Sequence, residues 1–134
     1  MNRIKAKLIF SLFALVMIVG PVKGQTIVPM EKIEFALKNG NVNLLSMFFG
    51  NTVDITINND QSTYSSPQAK FVLRKFFRKN QVSNFDLEHT GTSASTHGFF
   101  SIGCLVTNNG KYKVYMYLKQ QDNIATLQEI RIIK

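Results

Sequence analysis

Residues 64–79, Tyr-Ser-Ser-Pro-Gln-Ala-Lys-Phe-Val-Leu-Arg-Lys-Phe-Phe-Arg-Lys, decide the fold, because they read as a capped amphipathic helix set just before a run of β-hairpins. Ser66 is a suitable N-cap, since its hydroxyl can accept from an orphan backbone N–H, and Pro67 at the first helical position sacrifices no hydrogen bond. Ser65 with Gln68 would instead form a capping box and shift the start by one residue. Ala69, Val72, Leu73, Phe76 and Phe77 follow the i, i+3, i+4, i+7, i+8 template and form one apolar stripe. That stripe needs a cover, and the strands that follow must supply it. The helix is therefore expected to lie across a sheet.

Upstream, Val53, Ile55 and Ile57 alternate with Asp54 and Thr56 as a strand, and Asn58 to Ser62 reads as a loop. Residues 31–39 carry a helical pattern of Ile33, Phe35, Ala36 and Leu37 that stops at Asn39-Gly40, where Gly40 suits the left-handed position after a helix. Asn41 can cap a second, short helix with Leu44, Leu45 and Phe48 on one face. The first 24 residues are expected to be a cleaved signal peptide. Arg3, Lys5 and Lys7 precede an apolar run, Leu8 to Gly20, that is shorter than the roughly 20 residues needed to cross a bilayer. Small residues Val22 and Gly24 suit the cleavage site. Residues 25–134 are then one exported domain, periplasmic or extracellular, with no transmembrane segment.

Export also revises the charge. The chain carries +8, but Arg3, Lys5, Lys7 and Lys23 leave with the signal, and the remaining 12 Lys and Arg against 8 Asp and Glu give +4. This mild excess is no nucleic-acid signature, and none is expected as a partner. The single cysteine, Cys104, can form no intramolecular disulfide and reads as a small buried residue.

Downstream the chain is almost entirely strand. Phe85, Leu87 and His89 alternate with Asp86 and Glu88, and residues 91–98 form a long polar turn. Residues 99–107 and 111–119 make a hairpin around Asn108-Asn109-Gly110. A three-residue loop with Gly110 left-handed pairs Val106 with Tyr112, Cys104 with Val114 and Ile102 with Met116, whereas an Asn109-Gly110 loop mixes core and surface. The first register predicts an inner face of Phe100, Ile102, Cys104, Val106, Tyr112, Val114, Met116 and Leu118. Residues 124–133 add Ile130 and Ile132 inward, with Glu129 and Arg131 outward.

Two helices, a strand, a long helix and four antiparallel strands resemble the nuclear transport factor 2-like (cystatin-like) α+β fold, a cone in which helices pack on the concave face of a curved, mainly antiparallel sheet. Tyr64-Ser65, Phe76-Phe77, Lys79-Asn80, His89-Thr90-Gly91, Ile102-Gly103, Thr107, Gly110 to Tyr115 and Glu129 to Ile132 resemble a small secreted family of unknown function in Bacteroidetes. The resemblance covers nearly all of residues 25–134 and implies no catalytic residue.

Three surfaces could carry a function. His89, placed inward by alternation, joins Tyr64 and Tyr112 as candidates for a pocket holding a small apolar ligand, and His89 is the one group that could serve a lyase or isomerase as general base. Leu105, Tyr115, Tyr117, Leu127 and Arg131 are expected on the outer sheet face, where they would suit a protein partner or a homodimer. Phe71, surrounded by Lys70, Arg74, Lys75, Arg78 and Lys79, forms a basic helix face that could meet an anionic partner. No motif points to a metal or cofactor, and none is expected. A non-catalytic binding module is the reading these residues favour.

Overall fold

In the computed structural model, which describes residues 20, 21 and 24–134, the chain runs α1 (Met30–Lys38), α2 (Val42–Ser46), β1 (Phe49–Ile57), β2 (Asp60–Ser65), α3 (Ser66–Lys79), β3 (Val82–Ser93), β4 (Gly98–Thr107), β5 (Gly110–Gln121) and β6 (Ile124–Ile133). Apart from residues 20, 21 and 24, the expected signal segment lies outside the described residues. One curved sheet has the order β2-β1-β6-β5-β4-β3, antiparallel except where β1 runs parallel to β6.

The helices cover one face of this sheet. The capping box at Ser65 starts α3, with the Ser65 hydroxyl accepting from the Gln68 N–H and the Gln68 amide oxygen accepting from the Ser65 N–H. Ala69, Leu73, Phe76 and Phe77 are buried from α3, and Ile33, Ala36 and Leu37 from α1. They meet Val53, Ile55, Phe85, Leu105, Val114 and Ile130 in one core that fills the space between helices and sheet.

β2 is a strand where a loop was expected. Asn58 adopts a left-handed φ of 53°, which Asn tolerates better than most side chains, and a two-residue turn pairs Ile57 with Asp60. The segment Asp60 to Ser65 has no apolar alternation because, at the edge of the sheet, most of its side chains face water. Its strand character comes from pairing with β1.

The β4–β5 hairpin takes neither expected register. Its loop is Asn108-Asn109, with Thr107 opposite Gly110, Leu105 opposite Tyr112, Gly103 opposite Val114 and Ser101 opposite Met116. The Thr107 hydroxyl accepts from the Asn109 N–H at 3.1 Å and donates to the Gly110 carbonyl at 2.9 Å, which fixes the turn. Ser101, Gly103 and Leu105 therefore face the helices, while Ile102, Cys104 and Val106 lie half-buried on the uncovered face. The more apolar set faces outward because the inner surface here has no room. A Cβ on Gly103 would sit 2.7 Å from the Asp86 carbonyl oxygen and would overlap the Phe85 ring.

Two bulges reset the alternation of the flanking strands. In β3 the pairing passes from Leu87↔Gly103 to His89↔Ile102, so Glu88 is an extra residue and His89 turns outward. In β6 it passes from Leu127↔Leu118 to Glu129↔Tyr117, so the inward set changes from Ala125 and Leu127 to Ile130 and Ile132. Leu105 and Leu127, expected on the outer face, are both 0% exposed.

Candidate functional site

The packing of α3 against the far end of the β1–β2 hairpin leaves an open cleft of about 440 Å³, within the range of small-molecule sites. Phe71, Lys75 and Lys79 stand at i, i+4 and i+8 on α3, so they share one stripe above the cleft beside Val72 and Phe76. Ile57, Asn58, Asp60 and Tyr64 form the opposite wall, and Tyr112 closes the inner end.

Polar side chains at this inner end are held in place. The Tyr112 hydroxyl donates to the Asn80 side-chain oxygen at 3.1 Å, and the Asn109 amide donates to the same oxygen at 3.1 Å. The Asn80 amide itself donates to the Phe76 carbonyl at 3.0 Å, closing the end of α3. The Tyr112 ring packs edge-on to Phe76 at 5.3 Å, with the Lys134 ammonium 5.8 Å from its centre. A phenol fixed by both its ring and its hydroxyl makes a preorganised polar point at the inner end of the cleft.

The cleft is electropositive. Lys75 and Lys79 line it against the one carboxylate of Asp60, and among the described residues the only ion pair is Lys113–Glu88, elsewhere on the sheet. Its 2.7 Å hydrogen bond with Glu88 raises Lys113 above the ordinary lysine value. The other half of the basic helix face looks away. Arg74 donates to the Asn43 side chain at 3.0 Å and, with Arg78, lines a smaller depression beside Gly40.

Tyr64, Tyr112, Phe71 and Lys75 thus come together, and His89 does not join them. His89 is exposed on the uncovered face because the Glu88 bulge turns it there. Lys79, expected on the basic face around Phe71, also joins the cleft residues, whereas Asn80 was missed as a site residue by sequence reasoning. Asp60 could not be found without recognising β2.

The uncovered sheet face holds a second depression of about 450 Å³, lined by Phe100, Tyr115, Tyr117, Glu129 and Arg131 under the β3–β4 turn. The Arg131 guanidinium lies 5.6 Å from the centre of the Tyr115 ring, and Phe100 packs on Tyr117 at 5.0 Å. Leu105 and Leu127 are absent from it, both being in the core. Among the described residues no three His, Cys, Asp or Glu side chains cluster as a metal-binding set, and no helix is long and apolar enough to cross a membrane.

Residues 30–132 match the family model of a domain of unknown function, DUF4783. The chain belongs to the DUF4783 family. A crystal structure of a DUF4783 protein from Bacteroides ovatus is 31% identical with a TM-score of 0.74, covering 77% of this chain and 92% of that one. A second, from Bacteroides uniformis, is 30% identical with a TM-score of 0.74, covering 78% and 94%. A nuclear transport factor 2-like protein of unknown function from Cytophaga hutchinsonii shares the fold at 8% identity, with a TM-score of 0.54 over 77% and 83% of the two chains. No curated protein matches the sequence. The DUF4783 chain thus has a nuclear transport factor 2-like α+β fold, and its chemistry rests on its own residues.

Proposed function

We propose that this DUF4783 protein is an exported, non-catalytic binding module that holds a small amphipathic anion in the cleft between α3 and the β1–β2 hairpin. One observation carries the reading: Phe71 is 65% exposed at the cleft, in line with Lys75 and Lys79. An exposed Phe among unpaired lysines costs solubility and does nothing for the core, whereas an apolar body with an acidic head would satisfy both groups. The ligand's apolar part would lie on Tyr64, Phe71, Val72 and Phe76, and its acid would meet the two ammonium groups.

The test uses the exported form, whose N-terminus by this reading is Gln25, and the anionic fluorophore anilinonaphthalene sulfonate. Saturable binding is expected, weakened about tenfold in Lys75→Glu/Lys79→Glu because the charge facing the sulfonate is reversed. Equal affinity in the variant, or equal affinity for the uncharged naphthylamine, would discard the cleft as an anion site.

A second reading, a homodimer through the uncovered sheet face, is favoured by Phe100, which is 45% exposed beside Tyr115 and Arg131. Tyr115→Glu is expected to turn a dimer into a folded monomer in light scattering, since it places a carboxylate in a desolvated aromatic patch. A wild-type chain that stays monomeric at high concentration removes this reading.

A further inference from the structure

The two edges of the sheet are not alike. β3 is interrupted by register shifts at Val82/Asn84 and Leu87/His89 and carries Asp86, Glu88 and His89, which are the devices that keep an edge from pairing with another chain. β2 has no such interruption, and Asp60 at its first position is its one charged residue. It pairs with β1 in unbroken register from Asp60 to Ser65, with no proline, no lysine and no bulge. Among the described residues, no backbone group of residues 60–64 bonds to anything but β1. Alternate residues of such a strand direct both N–H and C=O to the free side, so β2 presents an open ladder.

Beside that ladder runs a groove of about 490 Å³ between Thr63 and Tyr64 on one side and Pro67, Gln68, Phe71 and Val72 on the other. A strand added at β2 would drop alternate side chains into it. The groove lining is uncharged, and the charge of the helix beside it selects the occupant. α3 carries Lys70, Arg74, Lys75, Arg78 and Lys79 with no acidic residue, and none of the five is in an ion pair among the described residues.

We propose that the free edge of β2 is a strand-addition site for an extended acidic segment of another protein, with backbone bonds to β2, an apolar side chain against Phe71 and a carboxylate toward Lys75. A second copy of this chain is disfavoured, because edge-to-edge pairing would bring two five-cation helices together on one face. The site adjoins the cleft through Phe71 but does not require the cleft to be occupied.

The probe is a fluorescein-labelled octapeptide, Thr-Val-Thr-Glu-Thr-Val-Thr-Glu, which as a strand sets its valines and glutamates on one face, followed by anisotropy and amide exchange. Saturable binding is expected, with exchange slowed in residues 60–65. Methylating alternate peptide nitrogens should weaken it at least about tenfold by removing several strand hydrogen bonds. Replacing Glu by Lys in the peptide, or Lys75→Glu in the protein, should weaken it by about fivefold or more. Phe71→Ala, which leaves the core intact, should also weaken it. Absence of binding, equal affinity for the methylated peptide, or protection confined to residues 71–79 would overturn the proposal. So would a free chain that sediments as a dimer with residues 60–65 already protected.

Discussion

Leu105→Ala is expected to destabilise the protein by about 2–5 kcal/mol, the range for a buried leucine that leaves a cavity, while Ile102→Ala costs about 1 kcal/mol from partial burial alone. Leu105 is 0% exposed and sits between Phe85 and Tyr112, its partners on β3 and β5. Ile102 is half-buried on the uncovered face beside His89 and Tyr115. The two residues are three apart on one strand, so propensity and sheet position nearly cancel and the difference reports which face is packed. Urea unfolding of both variants with unchanged slope makes the comparison. The reverse order of costs would mean that β4 packs its even-numbered residues inward.

Gly103→Val should be worse, lowering the melting temperature by more than about 10 °C, since each kcal/mol is worth roughly 4–8 °C in a domain of this size. The added Cβ meets the Phe85 ring and, at 2.7 Å, the Asp86 carbonyl oxygen. A ring can turn, but a carbonyl in a ladder cannot move without breaking its strand. Phe85→Leu in the same chain is therefore expected to restore only part of the loss. Calorimetry of the single and double variants checks both points, and a Gly103→Val protein that melts like the wild type would refute the close approach. The glycine lies opposite Leu87, one residue before the Glu88 bulge, where the sheet bends.

These positions show where local reading of the sequence stops. The α3 stripe, its cap at Ser65 or Ser66, the two short helices and the strands around Phe85, Val114 and Ile130 follow from periodicity and turn chemistry, because those signals lie within a few residues of one another. His89 was misplaced because its side depends on the Glu88 bulge, and a bulge is a mismatch between two strands that neither strand states alone. Leu127 was misplaced for the same reason across Gln128. On β4 the apolar count pointed to Ile102, Cys104 and Val106, yet volume decided against it, since Gly103 leaves room for Phe85 where a side chain would not.

By itself the sequence determined the helix of residues 66–79, the order of most elements and the α+β class, since each rests on local hydrogen bonding and hydrophobic period. The tertiary structure alone decided which face of β4 is buried, that residues 60–65 form an edge strand, and that Phe71, Lys75 and Lys79 stand over a cleft walled by Tyr64 and Tyr112. Those outcomes depend on contacts between distant segments, where steric volume and strand pairing outweigh local preference.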